Sequence, residues 1–207
     1  MTTSNTKETM EDRSNSDRIE SFKNDLLNLD IVSVIRKHLT TGTPVTIDNE
    51  EYWKLRNAIS TQFDVHPNHV VVVGSSRLGF SLKKSKRFVS NEPKDVDVAI
   101  VSPQLFDRFW DMVFNVVRFN RTWPHQTKKN KSFVSSLFSG WITPHELPNL
   151  SSFERAREWA EFFNELSRTR VCGIRGISGR LYRDWSRLEA YQEIMVNECK
   201  RELEKKQ

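Results

Sequence analysis

Residues 69–82, HVVVVGSSRLGFSL, and residues 94–101, KDVDVAIV, decide how this chain is read. The consecutive valines Val70 to Val73 crowd a helix at χ1 but suit a strand buried on both faces, ending at Gly74. In the second stretch Val96, Val98 and Ile100 alternate with Asp97 and Ala99, which predicts another strand with Asp95 and Asp97 on one side. Two carboxylates at that spacing share a face, where their oxygens suit a hard divalent cation such as Mg2+. Gly74, directly after a strand, lets the backbone approach a ligand. Ser75 and Ser76, at a helix start, offer hydroxyls and N–H groups to phosphate oxygens. Together the two stretches suit a metal–triphosphate complex held between them.

Working outward toward the N-terminus, Ile19, Phe22, Leu26 and Leu29, continued by Ile31, Val32 and Ile35, predict an amphipathic helix broken near Asp30 and ending at Thr41-Gly42. Asp48 opens a second helix through Trp53, Leu55, Ala58 and Ile59, closed by the Pro67-Asn68 turn. Toward the C-terminus, Pro103 opens a long helix whose apolar stripe from Leu105 to Val117 should pack on the sheet. Ser151 to Glu154 match a capping box for a helix with Ala156, Trp159, Ala160, Phe163 and Leu166 on one face. Arg170 to Ile174 predicts a third strand, and Arg183 to Glu204 a final helix with Leu188, Tyr191, Met195 and Cys199 inward.

The class is therefore α/β (α+β), a short mixed sheet backed by helices with an N-terminal helical layer. Residues 1–15 nearly lack apolar side chains and read as a flexible tail, which leaves 16–207 as a single domain. With 37% hydrophobic residues, 6 Trp and 13 Phe, the chain has enough apolar material to order a compact core, which excludes wholesale disorder. No apolar run approaches the roughly 18 residues that cross a bilayer, and the polar N-terminus does not resemble a signal peptide. The expectation is a soluble, cytoplasmic protein without a membrane partner. Cys172 and Cys199 are too few for a disulfide framework or a structural zinc site and read as buried, reduced thiols. His125 and His145 lack partners at ligand spacing.

The glycine-serine turn after a buried strand, followed by an acid-x-acid strand, resembles the nucleotidyltransferase superfamily of the polymerase-beta type, over roughly residues 65–105. The resemblance implies a nucleotidyltransferase-like fold and Mg2+-dependent transfer of a nucleoside monophosphate from a nucleoside triphosphate to an acceptor hydroxyl. It gives Ser75 the triphosphate and Asp95 and Asp97 the catalytic metal ions. Stand-alone bacterial proteins that resemble this one modify antibiotics, proteins or RNA, make signalling nucleotides, or serve in phage-defence and toxin–antitoxin operons. Two features depart from the pattern. The separation of Ser75 from Asp95 is lengthened by a basic loop, KKSKRFVSNEPK. The third carboxylate that active members usually carry on a later strand is not identifiable: RVCGIRG has none, and Asp107, Asp111, Glu146 and Asp184 lie in helices or loops.

The net charge of +5 favours a phosphate-bearing partner. Basic residues concentrate in segments 83–94, 118–131 and 168–187, the last with arginines at 168, 170, 175, 180, 183 and 187 against the single acid Asp184. Arg180 and Arg183, beside a glycine bend, are candidates for the far side of a triphosphate, and Arg77 for a phosphate contact or a helix cap. Trp123, among basic residues, suits either a core or a stacked base. The alternative function is a catalytically degenerate fold that binds nucleic acid or a partner protein through these segments. A further one is an interaction subunit whose aromatic-rich helices bury against another chain.

Overall fold

A computed structural model describes residues 3–90, 93–120, 128–147, 151–173 and 175–205. Trp123, His125 and Ile174 lie outside those residues, as does 121–127 of the basic segment 118–131. The valine run forms β1 (Val70–Val73), buried throughout. It pairs antiparallel with β2 (Asp95–Val101), Val73 opposite Asp97. β2 pairs parallel with β4 (Gly176–Tyr182), and β3 (Trp141–Ile142) adds antiparallel to β4, so the mixed sheet has the order β1-β2-β4-β3.

Alternation along the strands divides the core. Val70, Val72, Val96, Val98, Ile100, Ile177 and Leu181 face a layer made by α3 (Asn49–Phe63), α5 (Pro103–Asn120), α6 (Lys128–Ser139) and α7 (Glu154–Arg168). Val71, Val73, Ala99, Val101 and Tyr182 face Leu188 of α8 (Trp185–Glu204) on the other side. This is the pattern of strands buried on both faces. Behind α8 sit α1 (Thr3–Asn28) and α2 (Ile31–Ile35), joined by Phe22, Leu26, Val34 and Ile35 packing with Val196 and Cys199. Phe22 anchors this layer, its ring edge-on to Phe80 at 5.5 Å and to His38 at 5.1 Å.

Caps explain the breaks. Asp30 accepts from the Ser33 N–H at 2.9 Å and starts α2, Asp48 from the Glu51 N–H at 2.7 Å, and Asp184 from the Arg187 N–H at 2.9 Å. α2 runs into a π-helical turn, Arg36–Thr40, which stops where Thr41-Gly42 predicts. The composition predicts a tail through residue 15, whereas α1 starts at Thr3; Ile19 is the first buried side chain among those described. No side chain caps α7 at Ser151, because 151–153 form a separate 3₁₀ turn and Phe153 occupies the N-cap. Of the strand expected at 170–174, the described residues 170–173 form a turn instead, with Arg170 at φ +57° and Gly173 at φ +70°. The strand begins later, at Gly176, where Ile177 and Leu181 alternate inward. Among the described residues no helix is long and apolar enough to cross a membrane.

Candidate functional site

Residues 95, 97, 99 and 101 of β2 lie on one face of the sheet. Ala99 and Val101 are buried on the α8 side, whereas Asp95 and Asp97 emerge exposed from the same row. The parallel register continues the row onto β4, where Gly176, Ser178, Arg180 and Tyr182 stand level with positions 95, 97, 99 and 101. Asp97 Oδ1 accepts from the Ser178 hydroxyl at 3.1 Å. Glycines make room for the carboxylates: a Cβ on Gly74 would stand 3.3 Å from Asp97 Oδ2, and one on Gly176 3.0 Å from Asp95 Oδ1. Gly74 also has φ +69°, a backbone that L side chains rarely adopt, as the chain leaves β1 for the short helix α4 (Gly74–Leu78).

A cavity of about 500 Å³ opens over this row, within the size range of small-molecule sites. Gly74, Ser75, Asp97, Ser178, Lys83 and Arg180 supply its polar lining, together with Thr143, His145 and Glu146 around a 3₁₀ turn. Tyr191, Gln192, Ile194 and Met195 form the α8 wall. Arg180 is held in place: its Nε donates to Thr143 Oγ1 at 3.2 Å and its guanidinium lies 4.5 Å from the centre of the Tyr191 ring. Burial alone would depress this guanidinium, but the neighbouring Tyr182 and Tyr191 hydroxyls outweigh it, so Arg180 titrates above its ordinary value and stays cationic. A five-residue α4 has little macrodipole to attract anions, so positive charge at the cavity comes from Lys83 and Arg180.

Of the residues singled out in the sequence, Gly74, Ser75, Asp97 and Arg180 meet at the cavity, and Asp95 continues the Asp97 row. The others have different places. Ser76 is buried, and its hydroxyl donates to the Asp95 carbonyl at 2.7 Å, tying α4 to the start of β2. Arg77 is buried too and donates to the carbonyls of Gly42 at 2.7 Å and His38 at 3.2 Å, so it fastens the α2 layer to α4 and does not reach the cavity. Arg183, exposed, lies 3.9 Å from Asp107 beside a separate hollow with Trp110 and Phe138. Several described cations of the basic segments are engaged within the fold. Arg87 is buried against Glu198 and Glu202, Arg168 pairs with Glu165, and Arg175 donates to the carbonyls of Thr46 and Cys172.

Ser178 and Gln192 are cavity residues that the sequence does not single out, and Lys83 enters there only as part of the basic segment 83–94. Lys83 is hidden in a lysine-rich loop, Ser178 becomes visible only through the register, and Gln192 breaks the apolar period of α8. The later strand thus has an uncharged hydroxyl, Ser178, level with Asp97. Among the described residues no three Asp, Glu, His or Cys side chains group to hold a metal ion. Two exposed carboxylates do fit Mg2+ of the kind that fills its remaining positions with water and phosphate oxygens. Both cysteines are buried, and burial pushes each thiol up to about 11. The chain matches no protein-family model, no curated protein and no solved structure.

Proposed function

We propose that this chain is a magnesium-dependent nucleotidyltransferase-like protein that takes a nucleoside triphosphate into the cavity beside Asp97. The observation that carries the reading is the meeting of a Gly74-Ser75 turn, an exposed carboxylate and two cationic side chains around one cavity of about 500 Å³. Ser75 would donate to the phosphate tail, with Lys83 and Arg180 balancing its charge. Asp95 and Asp97 would hold Mg2+, which when bound neutralises phosphate charge and lowers the pKa of an acceptor hydroxyl. Glycines at 74 and 176 keep both carboxylates free to face a ligand.

Ser178 favours a second reading, in which the cavity binds nucleotide without turning it over. A serine hydroxyl neither takes a proton from an acceptor at neutral pH nor adds the charge of a third carboxylate. Both readings require the same first experiment, calorimetric titration with ATP, GTP, CTP and UTP, with and without Mg2+, beside an Asp95→Ala, Asp97→Ala double variant. Magnesium-dependent binding that disappears in the variant is the expected result. Absence of binding to all four nucleotides refutes both.

A further inference from the structure

The buried seam of α8 contains a polar residue that packing does not explain. Leu188, Val196 and Cys199 are fully buried, and Gln192, one turn from both Leu188 and Val196, is 8% exposed. A leucine there would bury comparable surface, whereas the glutamine brings an amide to the cavity wall. Among the described residues the Gln192 carboxamide has no hydrogen-bond partner, and it lines the cavity that holds Asp97 and Arg180. The side chain is nine-tenths buried, yet its amide has no protein partner among the described residues and stands at the cavity wall, where it is open to a ligand. Its surroundings narrow the ligand further. Leu82 and Met195 belong to the apolar cluster of the helical layer and line the same cavity, an apolar surface on the same wall.

We infer that Gln192 recognises the base of the nucleotide. Its carboxamide carries an acceptor oxygen beside a donor nitrogen and pairs with a nucleobase edge that offers a donor next to an acceptor, while Leu82 and Met195 cover the base's apolar face. A half-turn of the amide presents either order, so Gln192 separates a nucleotide from bare polyphosphate more strongly than it separates one base from another. The assignment rests on the triphosphate reading of this cavity and adds to it the part of the ligand that the carboxylates and cations do not explain.

The test is calorimetric titration of the full chain, with Mg2+, using ATP, GTP, CTP, UTP and inorganic tripolyphosphate as probes. Wild type is compared with Gln192→Leu and with Gln192→Met, which matches glutamine in length. The expected result is that wild type binds at least one nucleotide more tightly than tripolyphosphate, and that both variants weaken that nucleotide about tenfold while tripolyphosphate moves less than twofold. The inference is overturned if nucleotide and tripolyphosphate bind wild type equally, or if the variants weaken neither or both alike. A melting temperature lowered by several degrees in both variants, without ligand, also overturns it, because the amide would then serve packing. If wild type binds neither nucleotide nor tripolyphosphate, the triphosphate reading itself fails.

Discussion

Asp97 on β2 and Ser178 on β4 stand level in parallel register, and the Ser178 hydroxyl donates to Asp97 Oδ1 at 3.1 Å. A carboxylate at 178 would therefore share its face with Asp97 and be close enough to share a cation with it. Without metal, Ser178→Asp places like charges side by side and is expected to lower stability by about 0.5–1 kcal/mol, or roughly 1–4 °C in melting temperature. Added Mg2+ should recover that loss and stabilise the variant more than it does wild type. Thermal melts across a Mg2+ series decide the matter, and an equal response in the two proteins removes the metal from this face.

The two arginines flagged together in the sequence have separable roles. Arg180 is fixed inside the cavity by Thr143 and Tyr191, whereas Arg183 lies outside it near Asp107. Arg180→Ala should weaken binding of magnesium tripolyphosphate about tenfold or more, the magnitude of a lost charge-assisted hydrogen bond, and Arg183→Ala should leave it within twofold. Titration of the two variants side by side checks this; equal losses would mean that diffuse charge, not a fixed guanidinium, attracts the anion.

The strands that carry the site are legible because they use two unmistakable patterns, a run of β-branched residues and a strict alternation with carboxylates. The Asp30 and Asp48 caps are legible for a similar reason: a short acceptor side chain precedes an apolar period in each case. β4 is not, because its glycines look like punctuation. Gly179 is needed where Phe163 and Trp159 press on the strand, a requirement created by α7 and invisible locally. The arginines mislead in the opposite sense, since charge density along the chain says nothing of which guanidiniums are spent on carbonyls, as Arg77 and Arg175 are. Gln192 is missed because the helical period from Leu188 to Cys199 places Tyr191 and Met195 inward; the structure buries Leu188 and Cys199 as expected but Gln192 and Val196 between them, leaving Tyr191 and Met195 half-buried.

Two glycines provide a test of why each is needed. A Cβ on Gly179 would collide with the Phe163 ring and stand 2.8 Å from Trp159 Cζ2, within a close-packed core. Gly179→Ala should cost about 3 kcal/mol or more. Gly74→Ala faces a positive φ and an Asp97 oxygen that has space to yield, and should cost about 1–2 kcal/mol. Chemical denaturation gives both values. The reverse ranking would mean that α7 yields and the β1 turn does not.

The cysteines offer a probe of the core. Burial pushes both thiols up to about 11, one in the sheet core and one beneath the helical layer. At pH 8 the native protein should react negligibly with a disulfide reagent, and both thiols should react at once in denaturant. Fast labelling of one thiol in the native state would mean that the layer above it opens readily.

Asp25 gives the helical layer its own pH dependence. It is buried on α1, and its Oδ2 lies 2.6 Å from Lys37 Nζ and 2.6 Å from His38 Nε2, both on the π-helical turn after α2. Hydrogen bonds from Lys37 and then His38 outweigh burial and hold the carboxyl below the ordinary Asp range. A depressed carboxylate contributes its full stability above its unfolded pKa, about 3.9, and loses that contribution as the pH falls through the lower folded value. Asp25→Asn should therefore cost about 1.5–3 kcal/mol at pH 7 and progressively less below pH 4, so the variant's stability curve converges on wild type in acid. Urea unfolding from pH 7 down to pH 3 measures that convergence. A gap that stays constant with pH would assign the loss to packing around Phe22 and His38, not to the charge on Asp25.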